Sequence, residues 1–157
     1  MPSDYLDLFS FLLDLFFRPC PRKTEKLQQI PLDEMIKESR IIVIGKVLRI
    51  KEPIFHKMAV ATIEIEQILV GNYEDKQIDI TYYPRSIFDA RFVLNEQCIF
   101  LIDERNTIVK GYAGKIAIEK DKVEVRYILG EQESQTLKDF IKSIEDSKSR
   151  QEAIRNP

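Results

Sequence analysis

Hydrophobic and polar positions divide the chain into an apolar start, a long β-patterned middle and an amphipathic end. Residues 4–17 are mostly leucine and phenylalanine and are predicted to form a helix. Wound at about 100° per residue, Tyr5, Leu6, Leu8, Phe9, Leu12, Leu13, Leu15, Phe16 and Phe17 fill one arc of roughly 200°. Asp4, Asp7, Ser10, Phe11 and Asp14 share the remaining arc. Arg18-Pro19-Cys20-Pro21 stops this helix, because proline cannot continue the hydrogen-bond ladder. The polar residues 18–29 read as a linker. A short helix is predicted over 31–39, with Pro31 at its first position and Asp33 and Glu34 at the positive end of its dipole. Leu32, Met35 and Ile36 form its apolar face.

From 41 to 128 the period changes to two. Residues 41–50 are β-branched around a single Gly45, which marks a bulge or bend. Residues 58–69 set Ala59, Ala61, Ile63 and Ile65 against Thr62, Glu64 and Glu66. A turn at 71–75 leads to a strand over 77–83. Pro84 ends it and opens a longer connection, 84–95, that contains Phe88, Phe92 and Val93. The continuous apolar run 97–102 predicts a strand buried on both faces. A turn at 104–106 is followed by an expected fifth strand over 107–112. Two more, 114–118 and 123–128, flank the polar hairpin loop 119–122. Gly130 is expected to close the β region. Thr136 and Asp139 then form a capping box, and Leu137, Phe140, Ile141 and Ile144 form one helical stripe. Past Asp146 the stripe is lost, and residues 147–157 are expected to fray.

This order predicts a mainly β domain with flanking helices (α+β). Its organisation is an N-terminal helix and linker over 1–30, a barrel with its C-terminal helix over 31–146, and a tail. A small, OB-like Greek-key β-barrel would hide most strand edges. A two-sheet sandwich is the alternative.

Charge and composition narrow the chemistry. The 157 residues carry 24 Lys+Arg against 26 Asp+Glu, a net charge of −2, which excludes a strongly basic nucleic-acid binder but leaves room for a local patch. One histidine and two cysteines make zinc sites and histidine-based catalysis arithmetically poor choices. His56 reads as a solvated loop residue. There is no Gly-x-Ser-x-Gly, P-loop or Gly-x-Gly-x-x-Gly. The expectation is a non-enzymatic protein with no catalytic residues, metal or cofactor. No Lys or Arg precedes Arg18, and Asp7 and Asp14 interrupt the apolar run, so it reads as neither a cleaved signal nor a transmembrane span. The compartment stays open. Cys20 and Cys98 read as two free thiols, with a disulfide between them as the alternative in an oxidising compartment.

Certain stretches carry a family resemblance. Ser39-Arg40-Ile41-Ile42-Val43-Ile44-Gly45-Lys46-Val47, Ile65-Glu66-Gln67-Ile68-Leu69-Val70-Gly71, 92–101 and 110–116 resemble segments of small bacterial domains similar to the netrin-like barrel of tissue inhibitors of metalloproteinases. The resemblance spans about 31–128 and implies an OB-type barrel in a group commonly exported and mostly uncharacterised. Cys20 is not N-terminal, where such inhibitors place the cysteine that chelates zinc, so the resemblance does not extend to inhibition.

Two binding functions follow. The stripe bearing Phe9, Leu12, Leu13 and Phe16 is a candidate surface for a protein partner or homo-oligomer. An OB barrel face bearing Tyr82, Tyr83, Arg85, Arg91, Lys110, Tyr112, Lys115 and Arg126 is the candidate for an oligonucleotide or small ligand. The acidic net charge disfavours nucleic acid.

Overall fold

The β-branched residues after Arg40 build the strand around which the rest of the chain is arranged. The structure is a computed structural model that describes residues 32–52, 57–126 and 132–155. The predicted N-terminal helix, Pro31, Cys20, His56 and Gly130 lie outside the described residues. Helix α1 (Leu32–Glu38) leads into β1 (Ile41–Lys51), β2 (Ala59–Val70), β3 (Gln77–Tyr82) and β4 (Gln97–Ile102). Strands β5 (Lys115–Glu119), β6 (Lys122–Arg126) and β7 (Gln132–Thr136) follow, then helix α2 (Leu137–Arg155). All ladders are antiparallel, in the order β3-β2-β1-β4-β5-β6-β7. The first four strands form a Greek key: a three-strand meander whose fourth strand returns by a long connection to lie beside the first. Among the described residues no ladder joins β3 to β7.

The sheet is buried on both sides at its centre. On one face Val43, Val47, Ala61, Ile63, Ile78, Ile80, Tyr82, Phe92, Cys98 and Phe100 form a core. On the other, Ile42, Ile44, Ile99 and Leu101 pack against Met35 and Ile36 of α1 and Phe140 and Ile144 of α2. Strands β1 and β4 serve both cores, which explains their continuous apolar runs. The α+β class read from the sequence is the class observed.

Gly45 lies where the β1–β2 register shifts, and a Cβ there would come within 2.5 Å of the Glu64 carbonyl oxygen. Hairpin β5–β6 turns on Lys120 and Asp121, both at positive φ (48° and 63°), as a two-residue loop of this twist requires. The N-cap half of the capping box forms: Asp139 N donates to Thr136 Oγ1 at 3.1 Å, and the Asp139 carboxylate reaches back to that hydroxyl, which donates to Oδ2 at 2.7 Å.

Three expectations need correction. Residues 107–112 are not a strand. Ile108 makes an isolated bridge to Ile102, and the chain then coils through Lys110 (φ 52°) and Gly111 (φ 58°) into a 3-10 turn, Gly111–Gly114. The β region does not end at Gly130, because polar β7 pairs along the whole of β6. The tail does not fray at 147, since α2 runs to Arg155, held by α1 rather than by an apolar stripe. Ser147 is buried and donates to Asp33 Oδ1, Arg150 lies 3.2 Å from the same carboxylate, and Gln151 Nε2 donates to the Asp33 carbonyl at 2.9 Å. Thr62 is also buried, its hydroxyl satisfied by donating to Asp79 Oδ1 at 2.6 Å.

Candidate functional site

The connection between β3 and β4 holds the densest set of exposed apolar side chains among the described residues. Ile87 is 74% exposed, Phe88 70%, Val93 62%, Leu94 54% and Tyr83 50%. Arg85 and Arg91 lie on the same connection and are exposed. Leu48 of β1 and Met58, just before β2, are exposed as well. Isolated exposed apolar residues are ordinary, but a run of them on one segment marks an interaction surface.

This connection is fastened at both ends. Asp89 accepts from Tyr83 N through Oδ2 at 2.7 Å and from Ala90 N through Oδ1 at 2.8 Å. Ser86 Oγ accepts from Phe88 N at 3.2 Å. The Phe88 carbonyl accepts from Tyr112 N at 3.3 Å. Gly111 makes this approach possible, because a Cβ there would fall 1.9 Å from the same carbonyl oxygen. Ala90 and Phe92 turn inward as anchors, the Phe92 ring lying 4.6 Å from that of Tyr82. At the far end Asn95 takes φ 66°, Asn95 N donates to the Val47 carbonyl at 2.8 Å, and Val47 N donates to the Glu96 carbonyl at 3.0 Å. Glu96 then bridges two elements, accepting from Val93 N and from Lys115 Nζ, each at 2.7 Å.

The residues proposed from sequence as one aromatic and basic face are divided. Tyr83, Arg85 and Arg91 share the connection. The Tyr82 ring is 2% exposed and belongs to the core, with its hydroxyl donating to Glu52 Oε1 at 3.1 Å. Burial and Glu52 push that hydroxyl up to about 12. Lys110 is held by Glu34 at 3.4 Å and Glu38 at 2.9 Å, and its hydrogen bond to Glu38 raises its pKa. Lys115 pairs with Glu96 over the Phe92 ring. Tyr112 is half-buried. The side chain of Arg126 and all of Phe9, Leu12, Leu13 and Phe16 lie outside the described residues. Neutralising carboxylates therefore occupy two of the expected cations, leaving Arg85 and Arg91 beside Tyr83.

Ile87, Phe88, Val93 and Leu94 were not among the site residues expected from sequence. The available signal was the presence of large apolar side chains in a segment with neither helical nor strand period. Cys98 is a free thiol, fully buried, with burial raising its pKa to about 12 against the opposing charge of Lys115. Among the described residues no three His, Cys, Asp or Glu side chains gather where they could hold a metal ion. Nor is any described helix long and apolar enough to cross a membrane. Neither a protein-family model nor a curated protein matches the chain.

Proposed function

We propose that this protein is a non-enzymatic binding module that docks a protein partner on the β3–β4 connection. The observation that carries this reading is the combination of exposure and fastening: Ile87 and Phe88 project into water from a segment pinned by Asp89, Gly111 and Glu96. A preformed apolar surface binds at lower entropic cost than one that must be ordered. The two arginines would flank the apolar contact as a polar rim.

The scaffold under this reading is a small OB-like barrel of the netrin-like kind. The Greek-key order supports it. So does the packing of Ile108 and of Ala117 of β5 on the same core as β1–β4. Thr81 N of β3 also donates to the Asn106 carbonyl, across to the segment between β4 and β5, at 3.0 Å.

A photo-crosslinker at Val93 in the full-length protein tests the docking site. A protein adduct that disappears in the Ile87→Asp/Phe88→Asp variant is the expected result. An adduct indifferent to that variant, or no protein adduct, overturns the reading. A second reading, oligonucleotide binding, rests on Tyr83, Arg85 and Arg91 sharing one segment. Two cations on this segment give it a shallow dependence on salt, with a log–log slope of about −1.4 for a single strand. Titration of a fluorescent single-stranded oligonucleotide at several salt concentrations measures that slope. No binding at low salt ends this reading.

A further inference from the structure

A cleft of about 990 Å³ lies on another part of the molecule, between hairpin β5–β6 and the first turns of α2. Leu137 and Ile141 form its floor, and Lys120, Lys122, Lys138 and Lys142 stand around it. Their aliphatic stems extend the apolar wall while their ammonium groups stay in water. Among the described residues none of these four lysines is in an ion pair. Asp121, Asp139 and Glu145 also line the cleft, but the Asp139 carboxylate is engaged by the Thr136 hydroxyl. The hairpin and helix that form the walls are joined, Leu137 N donating to the Asp121 carbonyl at 2.8 Å. An apolar floor with a lysine rim fits an apolar helix that carries acids along its margin.

The chain itself contains such a segment. Residues 4–17 combine a leucine and phenylalanine stripe with Asp4, Asp7 and Asp14 and contain no lysine or arginine. The described chain begins on the same helix that walls the cleft: Leu32 and Asp33 share a hollow with Ser143, Asp146 and Arg150 of α2, around the helix from the cleft residues Leu137, Ile141, Lys142 and Glu145. Fully extended, residues 18–31 would reach about 45 Å. The α2 wall of the cleft, from Leu137 to Glu145, needs only about 12 Å of helix to cover it. We propose that residues 4–17 dock in cis into the cleft between the β5–β6 hairpin and α2, with Phe9, Leu12, Leu13 and Phe16 on the apolar floor and the aspartates against the lysine rim. This proposal is independent of the docking surface on the β3–β4 connection.

The test uses the full chain and a zero-length carbodiimide that joins carboxylates to amines in contact. In the single-chain fraction, Asp7 or Asp14 is expected to be joined to one or more of Lys120, Lys122, Lys138 and Lys142. Amide exchange over 5–17 is expected to be slowed about tenfold or more relative to free peptide. Lys138→Glu/Lys142→Glu should abolish that protection, and adding Asp7→Lys/Asp14→Lys should restore it. Thermal unfolding of the charge-reversed protein separates loss of docking from loss of fold. Unprotected exchange in the wild type, cross-links to other lysines, or cross-links found only between two chains would overturn the proposal. The last of these outcomes would assign the cleft to a second copy.

Discussion

At the residue scale, two buried acids make the fold sensitive to alkali. The Tyr82 hydroxyl and the Cys98 thiol ionise near 10.0 and 9.0 in the unfolded chain and only at about 12 in the folded one. The folded state therefore keeps protons that the unfolded state releases, and stability falls as pH rises from about 9 towards 12. The decline is at most about 1.4 kcal/mol per pH unit for each group. Urea midpoints taken at pH 8 and pH 10.5 measure it, and Cys98→Ser should make the decline shallower. At pH 8 the native protein should also leave Cys98 unmodified by a thiol reagent until it is unfolded. Gly111 is the other residue with a defined role. Its φ of 58° and the Phe88 carbonyl 1.9 Å from a would-be Cβ oppose any side chain. Gly111→Ala should cost about 2–3 kcal/mol. Gly111→Asn, which tolerates the backbone angle but not the contact, should cost about as much by thermal denaturation. Recovery with asparagine would show that φ alone matters there.

At the element scale, α2 shows what local pattern can and cannot specify. Its start is written in Thr136 and Asp139, and its first turns in the Leu137, Phe140, Ile141, Ile144 stripe, all within a few residues of one another. Its last nine residues have no stripe and exist as helix because Asp33, more than a hundred positions earlier, receives Ser147, Arg150 and Gln151. That is a tertiary decision, invisible to periodicity. The same applies to 107–112, where an apolar run is bent by Gly111 against a carbonyl of another segment, and to β7, whose polar residues form a strand because β6 offers an edge. The strands from Ile41 to Ile102 were legible because alternation and bounding turns are local signals. The Asp33 junction responds to acid in a definite direction. The Ser147 hydroxyl, and then Arg150, hold the Asp33 carboxyl below its ordinary value. Its contribution is thus present above about pH 4 and lost as pH falls through the lowered folded value. Amide exchange in 147–155 should accelerate in that window before the sheet opens, and Asp33→Asn should shrink the change. If the end of α2 exchanges at the same rate at pH 3 and pH 6, the junction does not hold it.

At the scale of the whole molecule, the candidate site was the least legible part, and for a physical reason. Aromatic and basic residues could be counted from the sequence. Which of them the core would take (Tyr82), which the carboxylates would neutralise (Lys110, Lys115) and which would stay free depended on contacts between segments far apart. The segments that make those contacts are arranged around β1 and β4, whose two faces belong to different cores. Phe100 fills one core and Phe140 the other, and each is fully buried. Neither core can be lost alone, because opening either face removes the strands that the other packs against. Phe100→Ala and Phe140→Ala should each cost about 3–5 kcal/mol. Both should move a single transition that is the same whether followed by near-ultraviolet dichroism of the buried Tyr82 or by amide exchange in α2. In the Phe100→Ala variant, the α2 amides around Ile144 should thus lose as much protection as those of β4. Full protection retained in α2 while β4 exchanges freely would mean that the helices and the outer face form a unit of their own. The surface at residues 83–94 would then belong only to the inner core that Phe92 anchors.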